Sequence, residues 1–455
     1  MVIRILLFTT CVASSLISAP IADRAGNVEK QLTPRLRIDG QPAVQWAIDD
    51  RQALHKVPAV SVAVINDGKI EWAKGYGAGI SPQTQFQAAS ISKPVAAMTA
   101  LRMVVRGELS LDEDVNKRLK SWKIPQNTWG KPVTLRQILS HTAGLTVHGF
   151  PGYAKTAPIP TLVQILNGEK PANTEAVVVD VEPGSIYRYS GGGYEVVQLL
   201  IEDVTGKPFA QVVKSLVLEP AGMKDSGYDQ PLPGKAALAY NGKGEPVSGG
   251  WHVYPEQAAA GLWTTPSDLA RFLLAVNASK LLPQSMTTDM LTPVKDGYAL
   301  GFGIEGSGEA ETFGHGGSNM GYRCTATLFR NGRQGAVVMT NGDNGDAIAN
   351  ELVRAVAQEY GWPSHKPVTM KVAVLSDAQL AALTGEFQDG NMKVRVTSGG
   401  KSLKVSAFGQ VFEFVPKTEL HFIPLMDGPP ELLFDKDSDG KVTGLTAAGR
   451  KLKKL

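Results

Sequence analysis

"AASISKPVAAMTALRMV", residues Ala88 to Val104, sets two serines and one lysine at the start of an otherwise apolar run. Val95, Met98, Leu101 and Val105 recur every three to four residues with alanine between them, which predicts a core-facing helix. Pro94 falls near its first turn, where a missing N–H costs nothing. Ser90 and Lys93 stand three apart and share a face, whereas Ser92 and Lys93 are adjacent and point differently. An amine beside a hydroxyl in a dry pocket can act as a base, and N–H groups at a helix start favour the negative charge that develops in acyl transfer. The bland reading is an N-cap serine and a surface lysine, because S-x-x-K is short enough to arise by chance.

Outward from this stretch, "PAVSVAVINDGKIEWAKGYG" (Pro58 to Gly77) alternates apolar and polar residues around Asn66, Asp67 and Gly68 and predicts a hairpin. "AVQWAIDDRQALHK" (Ala43 to Lys56) before it predicts an amphipathic helix. A mainly helical middle is expected from about Asp112 to Ala278, with loops at "HTAGLTVHGFPGY" and "QPLPGKAALAYNGKGEPVSGG". Its last helix opens with Thr265 as cap, Pro266 first and Asp268 three residues after the cap. Strands return after Gly297 in "YALGFGIEG", "ETFGHGG" and "YRCTATLFRNGRQGAVVMTNG", and "DAIANELVRAVAQEYGW" closes as a helix. This order predicts an α+β fold: one antiparallel sheet built from both ends of the chain, flanked by helices, with a mainly helical region inserted. Residues 363–375 read as a linker, and residues 376–455 as a small C-terminal all-β domain with turns every eight to twelve positions.

Residues 1–22 resemble a secretory signal: Arg4, an apolar stretch to about Ile17, then small residues, with cleavage near Ala19 or Ala22. The run is too short and too rich in Ser and Thr for a stable membrane span. A periplasmic or secreted protein is expected, its main domain covering residues 23–362. Without Cys11, Cys324 is the one cysteine left, so no internal disulfide can form. Among 455 residues the net charge is only +3 and no basic block precedes the terminal "GRKLKKL", so nucleic acid is not an expected partner. Nothing in the sequence sets the oligomeric state. His141, His148 and His252 lack metal-ligand spacing. "DKDSDGKVTGLT" puts Asp435, Asp437, Asp439 and Gly440 at calcium-loop offsets, but Thr446 stands where a Glu is needed and no helices flank it, so a hairpin turn is the better reading. No metal and no cofactor are expected.

Two further stretches give Ser90 a context. "PGSIYRYSGGGYEVVQLLIEDVTGKPF" (Pro183 to Phe209) places Tyr189 and Ser190 before a Gly-rich turn into a helix. "FGHGGSNMGY" (Phe313 to Tyr322) is a strand whose glycines permit close backbone approach. In order and spacing, Ser90–Lys93, Tyr189–Gly191 and His315–Gly317 resemble the S-x-x-K, Y-x-N and K-T-G or H-x-G motifs of serine β-lactamase-like, penicillin-recognising hydrolases. That group includes class C β-lactamases, D-alanyl-D-alanine carboxypeptidases, D-aminopeptidases and family VIII esterases. "LRQILSHTAGL" (Leu135 to Leu145) and "AAGLWTTPSDLARF" (Ala259 to Phe272) resemble two more of its segments.

The resemblance implies a serine hydrolase in which Ser90 attacks a carbonyl to form an acyl-enzyme, with Lys93 and Tyr189 moving the protons. An ordinary lysine titrates near pH ~10.4 and a tyrosine near ~10, so either needs a shift of roughly three units, about 4 kcal/mol, to be a base near neutrality. Which of the two is the base stays open. The implied oxyanion donors are the N–H groups of Ser90 and Ser318, and His315, Gly316 and Gly317 are the implied substrate-binding strand. Gly191 replaces the usual Asn, His315 is expected to be only partly charged near neutral pH, and Gly316 has no hydroxyl. These departures weaken β-lactam recognition and favour an ester or a small peptide or amide as substrate. A carboxypeptidase or class C-like β-lactamase is the alternative, and a non-turnover penicillin-binding sensor is the reading from another class. His141 is expected to support a loop, His148 or His252 to stand at the pocket mouth, one of Tyr187 and Tyr194 to be core, and Cys324 to be packing. The loop Gly249 to Ala260 is the expected place for a residue that compensates Gly191.

Overall fold

Along strand β1 (Val60–Asn66) every second residue finds a different core. Val60, Val62 and Val64 pack in one apolar cluster, and Ala63 and Ile65 in another, as the period of two in a strand requires. A computed structural model describes residues 21–229, 236–390, 392–407, 410–427 and 429–455. The expected leader lies outside the described residues apart from Ile21 and Ala22, which open a helix ending at Lys30.

Helix α1 (Ile48–His55) precedes β1, and β2 (Lys69–Tyr76) returns from it across Asp67-Gly68. Helix α2 (Ser92–Val105) and helix α3 (Gly191–Thr205) pack together in the larger cluster. Helix α4 (Pro266–Asn277) is capped by Thr265, whose side chain accepts the Asp268 N–H at 3.2 Å. Then come β3 (Gly303–Glu305), β4 (Thr312–Asn319), β5 (Tyr322–Phe329), β6 (Gly335–Thr340) and helix α5 (Gly345–Glu359). The sheet runs β2-β1-β6-β5-β4-β3, antiparallel throughout, so both ends of the chain build it. Helices α4 and α5 lie against the sheet in different clusters, each closing one of its faces.

The C-terminal part is a closed antiparallel barrel of eight strands in sequence order: β7 (Gly385–Asp389), β8 (Met392–Gly399), β9 (Ser402–Ala407), β10 (Gln410–Pro416), β11 (His421–Pro424), β12 (Leu432–Lys436), β13 (Val442–Ala447) and β14 (Arg450–Lys454). Closure removes the exposed edges that an open sheet this small would leave. The calcium-like stretch forms the β12–β13 turn, where Asp437 accepts the backbone N–H groups of Asp439 and Lys441 at 3.1 and 2.8 Å.

Several sequence expectations are corrected. The helix expected over Ala43–Lys56 spans only Ile48–His55. Val105 is exposed rather than core-facing, because α2 ends there and its last turn leaves the core. Outside α3 and α4 the expected helical middle holds only short helices such as Leu135–Leu139 and Leu162–Asn167 between long loops, where Gly144, Gly152, Pro158 and Pro160 break helical hydrogen bonding. Inside the expected linker, Val368–Met370 pairs in parallel with Leu36–Ile38.

Candidate active site

Ser90 sits in a single 3-10 turn, Ala89–Ile91, immediately before α2. The residue before it, Ala89, is fully buried and has φ of +48°, a left-handed conformation that a Cβ disfavours by roughly 1–2 kcal/mol. Ser92 knits this turn: its hydroxyl donates to Ala89 O at 2.6 Å and accepts the Leu262 N–H at 3.0 Å. Lys93, one residue on, points back along the helix. Its side chain is buried, and Nζ donates to Ser90 Oγ at 3.0 Å and to Ala259 O at 3.0 Å. The serine joined to the lysine is therefore Ser90, and Ser92 is structural.

Tyr189 closes the site from the N-terminus of α3. Lys93 Nζ lies 4.9 Å from its ring centroid. Ser190 caps α3, accepting the Gly193 N–H at 2.9 Å and donating to Thr146 O at 2.6 Å. His141 holds this corner from behind: its Nδ1 accepts the Ser190 N–H at 3.1 Å and its ring lies 4.2 Å from that of Tyr189. That bond places the proton of the neutral imidazole on Nε2. Burial, then the Lys93 ammonium, hold His141 well below the usual histidine pKa. Tyr194 is fully buried with its hydroxyl on Leu139 O at 3.0 Å, whereas Tyr187 is half-buried. His148 is exposed beside Tyr189, ring to ring 4.9 Å. His252 instead ties two loops together, its Nδ1 donating to Pro151 O at 3.0 Å and its carbonyl accepting from Gln87 Nε2 at 2.8 Å.

Strand β4 forms the opposite wall. β3 pairs with it only as far as Gly314, so its edge is open from His315 onward. Gly317 lies flat against the Ser90 turn, and a Cβ there would fall 2.2 Å from Ala88 O and 2.5 Å from Cys324 Sγ. Cys324 is buried and packs behind that turn, its Sγ 3.0 Å from Ala88 O. Ser318 pairs with Arg323, one step from the two-residue turn Met320-Gly321. Alternate residues of an antiparallel ladder turn their N–H groups away from the partner strand. In this register Ser318 turns its N–H to the open edge, the side on which the Ser90 turn packs.

His315 is neutral at neutral pH, which corrects the expectation of partial charge: burial, then the Lys93 ammonium, push its pKa down to about 4. Its Nδ1 donates to Gly316 O, so Nε2 is a bare acceptor, buried and without a partner. The ring stands 6.2 Å from Tyr189 and 6.0 Å from Tyr298. These residues line a cleft of about 360 Å³ that continues around the β4 edge past Gly316 to Thr325 and Thr327.

Gly191 is closed off by a different loop from the expected one. Its N–H donates to His148 O at 3.0 Å, and a Cβ there would meet Phe150 at 3.0 Å. The segment 148–150 thus fills the space into which an Asn side chain would extend. The loop 249–260 serves Lys93 instead, through Ala259. Behind Ala259 lie two acids that sequence reasoning missed. Glu195 accepts the Ala259 N–H at 3.1 Å and is held well above the usual carboxyl pKa by burial and by Glu256. Burial raises Glu256 to about 8. A charge inside "GGGYEVVQLLIE" was the available signal for Glu195, since a buried helix face rarely carries one. Tyr298, also missed, gives no local signal. Among the described residues no cluster of His, Cys, Asp and Glu could hold a metal ion.

A family model described as Beta-lactamase matches residues 44–360. The chain is 31% identical over 179 residues to esterase EstB of Burkholderia gladioli, covering 38% of this chain and 45% of that protein. It is 25% identical over 208 residues to protein flp of Staphylococcus aureus strain MRSA252, covering 43% and 40%. The chain thus matches less than half the length of these curated relatives. Among solved structures, the octameric penicillin-binding protein homologue from Pyrococcus abyssi superposes with a TM-score of 0.62 at 24% identity, covering 90% of this chain and 98% of that one. D-amino acid amidase from Ochrobactrum anthropi SV3, complexed with L-phenylalanine, gives 0.58 at 22% identity, covering 74% and 98%.

Proposed function

Because the chain belongs to the beta-lactamase family, we propose that it is a serine hydrolase cleaving an ester, or a small peptide or amide bond, through an acyl-enzyme on Ser90. The observation that carries this reading is the buried Lys93 Nζ at 3.0 Å from Ser90 Oγ, with the Tyr189 ring beside it. The Lys93–Tyr189 pair accepts the Ser90 proton as Oγ attacks the carbonyl carbon. The oxyanion forms between the N–H groups of Ser90 and Ser318, each such donor contributing about 3 kcal/mol in the transition state. Tyr189 passes a proton to the leaving oxygen or nitrogen, which departs and leaves the acyl group on Ser90. Water then attacks the acyl carbon, its proton returns through the same pair, and the carboxylic acid is released.

Three features favour an ester or small amide over a β-lactam: the loop 148–150 against Gly191, the missing hydroxyl at Gly316, and the neutral His315 where a cation would hold a carboxylate. Similarity to an esterase supports the same choice. Intact-protein mass after brief exposure to a p-nitrophenyl ester and, separately, to a penicillin tests it, with p-nitrophenol release recorded for wild type and Ser90→Ala. Rapid turnover lost in Ser90→Ala, with no lasting penicillin adduct, is expected. A stable penicillin adduct on Ser90 without ester turnover would identify a penicillin-binding sensor and overturn the proposal.

A further inference from the structure

Lys93 Nζ has two acceptors, Ser90 Oγ and Ala259 O, each at 3.0 Å. The first is the atom it serves, and the second keeps a flexible four-carbon stem from swinging away from it. The position of Nζ is therefore only as fixed as Ala259. That residue belongs to the short helix Gln257–Ala260, which packs against both α2 and α3. The N–H groups of a first helical turn have no partner within the helix. Here each one is met: Gln257 donates to Pro255 O at 2.9 Å, Ala258 to Gln198 Oε1 at 3.1 Å, Ala259 to Glu195 Oε1 at 3.1 Å and Ala260 to Glu256 O at 2.9 Å. The two side-chain acceptors stand three apart on one face of α3.

Glutamate is an unusual acceptor at such a place. Glu195 is fully buried, and its second oxygen, Oε2, has no hydrogen-bond partner. The charges acting on it are those of Glu256, Lys93 and Glu202, and the Tyr228 phenol, which burial keeps protonated, lies near it. Two buried carboxyls side by side do not both ionise. Burial, then Glu256, hold Glu195 well above the usual carboxyl range against the pull of Lys93. At neutral pH it accepts the Ala259 N–H as an uncharged group.

We propose that Glu195 is a positioning residue for acyl transfer: as an uncharged acceptor it fixes Ala259, whose carbonyl fixes Lys93 Nζ against Ser90 Oγ. The inference rests on the hydrolase reading of the Ser90 site. Acylation and deacylation both pass protons through the Lys93–Tyr189 pair, so a displaced Nζ lowers kcat whichever step limits turnover. The proposed substrate strand, β4, is a separate wall of the site, so KM stays unchanged.

Steady-state hydrolysis of p-nitrophenyl acetate by the full-length protein tests this, with circular dichroism recorded on the same samples. Glu195→Gln keeps an uncharged acceptor and should retain kcat within about threefold. Glu195→Met is of similar size without the acceptor, and should lose kcat by about tenfold or more at unchanged KM. Glu195→Asp draws the carboxyl back by one methylene, carries the same expectation and replaces the methionine variant should that one not fold. An infrared difference spectrum between wild type and Glu195→Gln at neutral pH needs no turnover, and should show the C=O stretch of a protonated carboxyl in the wild type only. Wild-type kcat in a folded Met or Asp variant, a loss confined to KM, a Gln variant as impaired as the Met variant, or absence of the protonated-carboxyl band would each overturn the proposal. Ester turnover retained in Ser90→Ala instead overturns the hydrolase reading, whatever the Glu195 variants do.

Discussion

Alanine at Gly317 and alanine at Gly316 should have opposite outcomes, although the two glycines are neighbours on one strand. A Cβ at Gly317 falls 2.2 Å from Ala88 O, a backbone atom beside the Ser90 turn, and 2.5 Å from Cys324 Sγ. Reaching even 3.0 Å requires β4 and the Ser90 turn to separate by about 0.8 Å. Neither side yields easily: Ala89 is buried and already left-handed, and β4 is held by its ladder to β5. Overpacking of this kind costs roughly 1–3 kcal/mol of stability. The separation also moves the Ser318 N–H away from Ser90, and a misplacement near 1 Å, or loss of one oxyanion donor, lowers kcat by about 10²-fold or more. A Cβ at Gly316 finds its nearest neighbour, Cys324 O, at 3.7 Å, an ordinary contact. The assay is steady-state hydrolysis of a p-nitrophenyl ester, with the melting temperature measured on the same samples. Gly317→Ala should lose kcat by two orders of magnitude while remaining folded at the assay temperature, and Gly316→Ala should stay within a few-fold of wild type. Wild-type kcat in Gly317→Ala would refute the placement of Ser318 as an oxyanion donor and the argument from close approach with it.

Glu256 keeps its proton in the folded protein up to about pH 8, whereas the unfolded chain releases it near 4.5. The stability this contributes is complete below pH 4.5 and lost as pH rises towards 8, so the gain in melting temperature of Glu256→Gln over wild type should grow across that window; a gain that is flat with pH refutes the assignment. Glu351→Ala should cost about 3–5 kcal/mol in urea unfolding, because it strands Arg51, which now donates to Glu351 at 2.8 and 2.5 Å with both side chains buried; a loss under about 1 kcal/mol would show that the pair is dispensable. Gly191→Asn should lower the melting temperature and gain no penicillin adduct, since its Cβ would stand 3.0 Å from Phe150 and 3.1 Å from His148 O; a stable adduct at the wild-type melting temperature, seen by intact mass, contradicts that.

Much of the sheet could be read from the sequence because the alternation in Val60–Asn66 and the periodicity of Ser92–Val105 are local, and local patterns survive tertiary packing. The Thr265 cap is likewise a local device. The inserted region was read as more helical than it is, since apolar spacing does not reveal how often Gly and Pro interrupt it. The pairing of Val368–Met370 with Leu36–Ile38 joins segments about three hundred residues apart, and no periodicity encodes such a partner. At the site, the spacing of Ser90 and Lys93 gave their shared face, whereas the neutrality of His315 follows from burial and from Lys93, which only the fold supplies. Glu195 matters through the Ala259 N–H it accepts and Glu256 through its charge beside Glu195, and neither link is visible in a linear chain.

Backbone strain ties these observations together. Ala89, His141 and Val147 are non-glycine residues with φ of +48°, +57° and +61°, and each adjoins a residue of the site: Ala89 precedes Ser90, the His141 ring lies on Tyr189, and Val147 precedes His148. Val147 is β-branched, for which that conformation is an outlier. Each such residue costs on the order of 1–3 kcal/mol and persists only where its surroundings over-determine it. Here the surroundings do so: Ser92 bonds on both sides of the Ala89 turn, Ser190 is held by His141 and by Thr146 O, and Gly192 donates to Val147 O. The same bonds fix the Ser90 turn and the tyrosine corner relative to Lys93. Propensity alone would have placed glycine at such positions. The residues found there spend local stability on a rigid arrangement of hydroxyl, amine and phenol, which folding by itself does not require and the proposed acyl transfer would use.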